Sequence, residues 1–314
     1  MSADSPAHLA LGEGDEFDAI RAMLRVWGAK ATGIGDDAAV LTTPAGERLV
    51  VSTDASVEGV HFRRDWLSPR EIGARATAAA LSDLAAMAAA PLGMLLALGV
   101  PRAWHAELDE LARGVGEMAS SVGCPIVGGN VTRASELSLT ITVLGSTVRP
   151  LTRDGVRVGD VLFVTGSLGA PGAALHALLR GEPPRAEDRA RFASPKPRIA
   201  EARWLAERGA RAAIDISDGI VADAGHMASA SGVRLEIERL PCVPHVTMEE
   251  AATSGEEYEL LVAFAPEALP DVEAFRDAFD LELTRIGEAM HGDGAVLVGP
   301  SGRVDLPRGH DHLS

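Results

Sequence analysis

Residues 76–90 read ATAAALSDLAAMAAA, a run in which a threonine, a serine and Asp83 are the only polar side chains. The preceding segment 68–71, Ser-Pro-Arg-Glu, has a capping-box pattern with proline at the first helical position, and predicts a helix that runs to about residue 89. A helix this apolar must be largely buried. Because an isolated buried charge is costly, Asp83 needs a partner, and a metal ion is one candidate.

Strand-like and helix-like segments alternate on both sides of this helix. The first half predicts a hairpin of residues 38–42 and 48–53, a strand at 94–100, a helix at 103–121, and strands at 125–127 and 137–148. A connector at 149–159 then leads to a second series of strands and helices. We therefore expect an α/β (α+β) fold with two sheets, in two domains of residues 1–149 and 150–314.

The composition limits the classes of function. The 314 residues include 29 Lys and Arg against 45 Asp and Glu, a formal charge of −16, so a nucleic-acid partner is not expected. Only two cysteines occur, Cys124 and Cys242, which argues against a disulfide framework or a zinc site. The sequence shows neither a secretory signal nor an apolar run of spanning length. We expect a cytoplasmic protein with no membrane partner.

Carboxylates recur in four short segments with few basic neighbours. These segments are Gly33-Ile34-Gly35-Asp36-Asp37, Ser52-Thr53-Asp54, Ser82-Asp83 and Asp215-Ile216-Ser217-Asp218-Gly219. Each one alone is typical of a turn or a helix N-cap. Together they favour Mg²⁺, which binds one or two carboxylates along with substrate phosphates. The usual phosphate-loop, dinucleotide-binding and nucleophile-elbow motifs are missing from the sequence, so a less common phosphate site is expected.

Seven segments, in order along nearly the whole chain, resemble the successive motifs of the thiamine-monophosphate kinase family. They are GIGDDAAVL at 33–41, STDASVEGVHF at 52–62, LSDLAAMAAAP at 81–91, VGGNVTR at 127–133, LTRDGVRVGD at 151–160, AIDISDGIVADAG at 213–225 and SGEEYEL at 254–260. This family is part of the aminoimidazole ribonucleotide synthetase superfamily. The resemblance implies its two-domain fold, with metal, ATP and dimer contacts in the N-terminal domain and a C-terminal domain that completes the cleft.

The resemblance also implies an activity. ATP would phosphorylate thiamine monophosphate to thiamine diphosphate by direct in-line transfer, assisted by several Mg²⁺ ions and without a covalent catalytic residue. The expected metal ligands are Asp36, Ser52, Thr53, Asp54, Asp83, Asn130, Asp215 and Asp218. The expected nucleotide contacts are Gly129, Arg153 and Ser217, and the expected substrate contacts are His61, Glu256 and His310. Glu257 and Glu259 are expected to face solvent.

Three positions depart from the family pattern. Asn130 stands where an aspartate is usual, which gives a cation shared with Asp83 one negative charge fewer. Ser254 replaces a glycine, and His310 stands where an aromatic residue commonly precedes Asp-His. Two alternatives therefore stay open: another ATP-dependent small-molecule enzyme of the superfamily, and a non-catalytic binder of nucleotide or thiamine phosphate. The cysteines that mark selenophosphate synthetases and hydrogenase-maturation relatives are missing from this sequence.

Overall fold

The computed structural model describes residues 15–31, 41–299 and 302–304. The chain forms two compact units. Unit 1 comprises Met1–Leu84 and Ala90–Val148, and unit 2 comprises Ala85–Ala89 and Arg149–Ser314. No helix within the described ranges is long and apolar enough to cross a membrane.

The described residues of unit 1 form a four-stranded sheet and three helices. Its strands are β1 (Arg48–Val57), β2 (Ala90–Val100), β3 (Ile126–Arg133) and β4 (Ser138–Thr147). Its helices are α1 (Asp15–Trp27), α2 (Pro69–Ala86), whose last two residues belong to unit 2, and α3 (Leu108–Ser121), with 3-10 turns at Gly28–Lys30 and Arg102–Glu107. The strand order is β1-β4-β2-β3, so among the described strands β1 and β3 form the two edges.

The two faces of this sheet differ in burial. Residues that share a row across the strands point to the same face. The row of Asp54, Ile141 and Leu96 belongs to a buried face, since Ile141 is 1% and Leu96 4% exposed. The other face, which we call the open face, carries Leu49 and Val51, which are 53% and 54% exposed.

The start of α2 is as the sequence predicts. The backbone N–H of Ser68 donates to Oε2 of Glu71 at 2.8 Å, and the N–H of Glu71 donates to Oγ of Ser68 at 3.3 Å. This reciprocal pair satisfies two donors that a helix N-terminus otherwise leaves unpaired. The predicted capping box is confirmed.

The first strand of the predicted hairpin around residue 45 lies mostly outside the described residues, so the hairpin stays a prediction. Residues 41–44 are not in a strand, and β1 pairs antiparallel with β4, from Arg48 opposite Thr147 to Val57 opposite Ser138. Residues 38–40 lie outside the described residues. The turn of Pro44, Ala45 and Gly46 is closed by a hydrogen bond from the N–H of Glu47 to the carbonyl of Pro44. The strand then pairs with a partner 99 residues away at its start, which local pattern does not reveal.

Unit 2 contains a seven-stranded mixed sheet, ordered β11-β10-β7-β9-β5-β8-β6. Its strands are β5 (Val161–Thr165), β6 (Ala212–Asp215), β7 (Arg234–Ile237), β8 (Leu260–Phe264), β9 (Leu283–Met290), β10 (Gly294–Gly299) and β11 (Gly302–Val304). Its helices are α4 (Ala170–Leu179), α5 (Ala186–Ala193), α6 (Ile199–Glu207), α7 (Ile220–Ser231), α8 (Met248–Ala252) and α9 (Val272–Phe279). Its core includes buried residues of β5, β6 and α7 such as Leu162, Ile214 and Met227.

Candidate active site

The most concentrated group of predicted site residues follows β6. Asp215 is the last residue of that strand and is 6% exposed, and the chain then bends through Ser217 and Asp218 into α7. The backbone N–H groups of Ser217 and Asp218 donate to Oδ2 of Asp223 at 3.0 and 3.1 Å. Asp223 is in the first turn of α7, so these two hydrogen bonds attach the bend to the start of the helix. Asp223 had no predicted role, although an acid in the first turn of the following helix is a signal that the sequence contains.

The three aspartates of this loop repel one another. Burial first, and then the charges of Asp215 and Asp218, raise the pKa of Asp223 to about 8 against the two backbone donors. Carboxylates crowded in this way favour a bound cation, because the cation replaces the repulsion by attraction. Oxygen donors of this kind are the ligands that Mg²⁺ prefers. The chemistry of these residues therefore fits the metal that the family resemblance implies.

The loop before β8 lies against this bend. The N–H of Glu256 donates to the carbonyl of Ser217 at 2.7 Å, and the N–H of Tyr258 donates to the carbonyl of Ile216 at 2.9 Å. Glu256 accepts a hydrogen bond on Oε2 from the Tyr258 hydroxyl at 3.0 Å. The structure thus brings a predicted substrate-binding residue, Glu256, next to a predicted nucleotide-binding residue, Ser217.

The prediction that Glu257 and Glu259 face solvent is wrong. Glu257 is 3% and Glu259 is 2% exposed. Both contact Arg191, with Nη2 at 3.2 Å from Oε2 of Glu257 and at 3.5 Å from Oε1 of Glu259, and Arg198 forms a two-pronged pair with Glu259 at 2.9 and 2.6 Å. Strand alternation alone suggested that these side chains are exposed. The positive charges of Arg191 and Arg198 offset the free-energy cost of burying the two carboxylates. These arginines also line a cavity of about 580 Å³.

In unit 1, two predicted metal ligands are in direct contact. Oγ of Ser52 donates to Oδ2 of Asp83 at 2.5 Å, so β1 meets α2 at this point. Asp54 is two residues further along β1 on the same buried face, and its Oδ1 accepts from the N–H of Ala55 at 2.8 Å. Asp83 of α2 is half-buried and has a hydroxyl partner on the sheet.

Other predicted ligands of unit 1 are on the open face. Thr53 Oγ1 is 3.0 Å from Thr142 Oγ1. Asn130 of β3, which pairs with Ala97 of β2, is exposed. Asn130 is thus on the opposite face and the opposite edge of the sheet from the Ser52–Asp83 contact. A single chain does not bring Asn130 and Asp83 together around one cation, contrary to our expectation.

The glycine at position 129 has a packing reason of its own. A Cβ at Gly129 would fall on the carbonyl oxygen of Leu96 in the neighbouring strand. The close approach of β2 and β3 accordingly requires glycine at this position whether or not a phosphate also approaches the backbone.

His61 lies in the turn after β1. The ring Nδ1 of His61 accepts a hydrogen bond from the backbone N–H of Val57 at 3.2 Å. The backbone N–H of His61 donates to the Val57 carbonyl at 2.9 Å. An accepting Nδ1 means that the proton of the neutral ring is on Nε2, the nitrogen suited to donate to a phosphate oxygen.

Arg153 and Ser217 are at opposite ends of helix α7. Its carbonyl accepts from Oγ of Ser231 at 2.7 Å, at the C-terminal end of α7, whereas Ser217 precedes the N-terminal end of the same helix. The 12 residues of α7 correspond to about 18 Å. Within unit 2 the structure does not bring these two predicted nucleotide contacts together.

Two predicted site residues, Asp36 and His310, lie outside the described residues. In the part of the chain that the structure describes, no three His, Cys, Asp or Glu side chains converge as a complete metal site.

Comparisons with known proteins agree with the sequence resemblance. The chain matches the family models "AIR synthase related protein, N-terminal domain" over residues 35–147 and "AIR synthase related protein, C-terminal domain" over residues 157–299. These matches define the class of protein, one with two AIR synthase related domains, and confirm the predicted two-domain α/β fold.

The relatives narrow the class. Thiamine-monophosphate kinase of Aquifex aeolicus (strain VF5) is 32% identical over 320 residues, with 96% of this chain and 98% of the relative covered. The crystal structure of thiamine-monophosphate kinase from Stenotrophomonas maltophilia K279a has a TM-score of 0.80 and 33% identity, and covers 91% of this chain and 96% of its own. A structure of AaThiL complexed with AMPPCP and TMP has a TM-score of 0.76 and 29% identity, with 94% and 95% covered. The chain belongs to the thiamine-monophosphate kinase family.

Proposed function

We propose that this protein transfers the γ-phosphoryl group of ATP to thiamine monophosphate and so forms thiamine diphosphate and ADP. The observation that carries the proposal is the contact between the loop of Asp215, Ser217 and Asp218 and the loop of Glu256, because it joins a cation-favouring group of acids to a substrate-binding candidate. The family membership supports it, as does the solved relative that holds an ATP analogue and TMP.

Both reactants are anionic, so their phosphates must be screened from each other. Mg²⁺ bound to the acids and to the phosphates supplies this screening and stabilises the charge that develops during transfer. Asp215 and Asp218 would hold Mg²⁺ in unit 2, and Asp223 holds their loop in place through the two backbone donors. Ser217 would contact the nucleotide from the same bend.

In unit 1, the residues proposed to hold Mg²⁺ are Ser52, Thr53, Asp54, Asp83, Asn130 and, outside the described residues, Asp36. Ser52 and Asp83 act as one pair, because the hydroxyl orients the carboxylate. Gly129 and Arg153 are proposed nucleotide contacts. For Arg153, the planar guanidinium suits the oxygens of a phosphate.

The proposed substrate contacts differ in the part of thiamine monophosphate that their charge suits. Glu256 would face the cationic thiazolium or the aminopyrimidine, since a carboxylate attracts both a positive charge and an N–H donor. His61 would donate from Nε2 to the phosphate of thiamine monophosphate. His310, outside the described residues, is proposed to contact the substrate at the position where relatives commonly have an aromatic residue.

We further propose that the protein is a homodimer through the sheets of unit 1. Three strand spacings, about 14 Å, separate the edge strands β1 and β3 within one sheet, so Thr53 and Asn130 of one chain are too far apart for one ion. A second copy whose β3 edge approaches β1 would bring its own Asn130 near Thr53. Leu49 and Val51 are exposed on the open face of β1, the face that also carries Thr53, so a second copy that packs against this face would cover apolar surface.

A cytoplasmic location is proposed as well. Both cysteines are free thiols, one buried and one partly buried, as is usual in a reducing compartment.

The decisive experiment is product analysis. The protein is incubated with ATP, Mg²⁺ and thiamine monophosphate, and the products are identified by mass. Thiamine diphosphate with an equal amount of ADP is expected. With enzyme in excess over substrate, a protein that binds both ligands but forms no thiamine diphosphate would be a binder, and the kinase proposal would fail.

A further inference from the structure

The turn that carries Glu256 has an unusual backbone. Glu256 has φ +63° and Tyr258 has φ +52°, so two non-glycine residues, separated by one, are in the left-handed region. Such a conformation is strained for a residue with a side chain and persists only where the surroundings impose it. The contacts that impose it here are identifiable.

Contacts on both sides of the turn hold it in this conformation. On one side, the N–H groups of Glu256 and Tyr258 donate to the carbonyls of Ser217 and Ile216. On the other side, the buried side chain of Glu257 accepts from the N–H of Gly169 at 2.5 Å, from Oγ of Ser254 at 2.6 Å and from Nη2 of Arg191 at 3.2 Å. The backbone of Glu256 is thereby fixed independently of its own side chain.

The result of this backbone is a contact between two side chains of the same turn. The Tyr258 hydroxyl donates to Oε2 of Glu256 at 3.0 Å, and Tyr258 is 8% exposed, so its ring is held in place by packing. A hydrogen bond from a fixed donor restricts the rotation of a carboxylate. The hydrogen bond also occupies one acceptor position of Oε2. The orientation of the Glu256 carboxylate is therefore set before a ligand binds.

We propose that Tyr258 is a positioning residue for substrate recognition, which holds the Glu256 carboxylate in the orientation that receives the cationic ring system of thiamine monophosphate. This inference rests on the proposed function and adds to it the element that selects the organic part of the substrate. The phosphate groups and Mg²⁺ are held by other residues, so Tyr258 acts on binding of thiamine monophosphate and not on the transfer step.

The kinetic test is Tyr258→Phe, which removes the hydroxyl and keeps the ring. We expect the KM for thiamine monophosphate to rise about five- to tenfold, the loss that one hydrogen bond of this kind corresponds to, while kcat and the KM for ATP stay within about twofold. Glu256→Gln should raise the KM more. Tyr258→Phe added to Glu256→Gln should have little further effect, because the hydroxyl acts through that carboxylate.

The matched control is Ser254→Ala. It removes a hydroxyl from the same turn, but one that serves Glu257 instead of Glu256. We expect it to lower the thermal midpoint and to leave the KM for thiamine monophosphate within about twofold. An equal rise in KM for Ser254→Ala and Tyr258→Phe would show that the turn as a whole sets the affinity, and would overturn the specific role of the phenol.

A spectroscopic test separates this inference from the proposed function. Tyr258 is the only tyrosine of the chain, so protein labelled with 3-fluorotyrosine gives a single ¹⁹F resonance. Glu256→Gln should shift this resonance in the free protein, and thiamine monophosphate alone should shift it in the wild type. If no thiamine diphosphate forms, the proposed function fails, but a shift on adding thiamine monophosphate still supports the inference. A resonance that neither change moves overturns it.

Discussion

At the scale of single residues, the carboxylates of this protein fall into two groups. Asp215 and Asp218 are set close to one another in a way that favours a cation. Glu257 and Glu259 are buried against Arg191 and Arg198 and organise the neighbouring loops. Because both groups look alike in the sequence, only the placement of the arginines separates an acid proposed to bind metal from a structural one.

Asn130 permits a direct test of the metal proposal. Asn130→Asp adds one negative charge to a proposed Mg²⁺ ligand set, and affinity for such ions depends on ligand charge. A charged contact exceeds a neutral one by roughly 1 kcal/mol, so the Mg²⁺ concentration for half-maximal activity should fall severalfold. A Mg²⁺ titration at fixed ATP and thiamine monophosphate measures this. Unchanged midpoints would remove residue 130 from the metal ligands.

The raised pKa of Glu257 predicts that the free energy of unfolding depends on pH. Burial raises its pKa from 4.5 to about 7, against Arg191, Ser254 and Gly169, which lower it. Between these two values the native state holds a proton that the unfolded state releases. The free energy of unfolding therefore falls as pH rises from about 4.5 to about 7, by an amount of the order of 3 kcal/mol for this group.

Glu257→Gln removes this titration. We expect the variant to lose less stability than the wild type between pH 4.5 and 7, as measured by urea unfolding at several pH values. Glu249→Gln is the control, since Glu249 is an exposed acid of α8 and should leave the pH slope unchanged. Equal slopes for wild type and Glu257→Gln would mean that Glu257 is already ionised across this range.

At the scale of elements, the sequence predicted helices better than strand pairing. The start of α2 follows from four consecutive residues, and its burial follows from a run of alanines. The pairing of β1 with β4 depends on contacts across some hundred residues and could not be read locally. The bend after β6 was found because its acids are adjacent in sequence. Tyr258 and Arg191 were missed because their roles depend on three-dimensional contacts.

Two glycine positions test the packing of helices. Gly114 of α3 faces the carbonyl of Arg70 so closely that a Cβ would overlap it, whereas a Cβ at Gly225 of α7 would meet nothing within 4 Å. Gly114→Ala should lower stability by about 1–2 kcal/mol, because the overlap with backbone outweighs the gain in helix propensity. Gly225→Ala should raise it by about 0.5–1 kcal/mol. Calorimetric unfolding measures both, and a stabilised Gly114→Ala would contradict the close packing of α2 and α3.

At the scale of the whole molecule, the order of the seven motifs carried more information than any single motif. Each short acidic segment is compatible with a turn or a cap, but their succession along the chain predicted the family, the two-domain fold and the positions of the site residues. The sequence could not show that Asn130 and Asp83 are on opposite faces of the sheet in unit 1. That separation is a property of strand order, and it bears on how many chains are needed to complete the site.

The proposed dimer leads to the last prediction. Leu49 is 53% exposed on the open face of unit 1, and Leu269 in unit 2 is 50% exposed. Leu49→Lys places a charge where a second copy would pack, and burial of an unpaired charge is costly. At micromolar concentration, light scattering should give twice the 32.7 kDa chain mass for the wild type and for Leu269→Lys, and the chain mass for Leu49→Lys. The monomeric variant should also lose transfer activity, because Thr53 and the partner's Asn130 would no longer meet. A wild type of single-chain mass with full activity would show that one chain completes the site by itself.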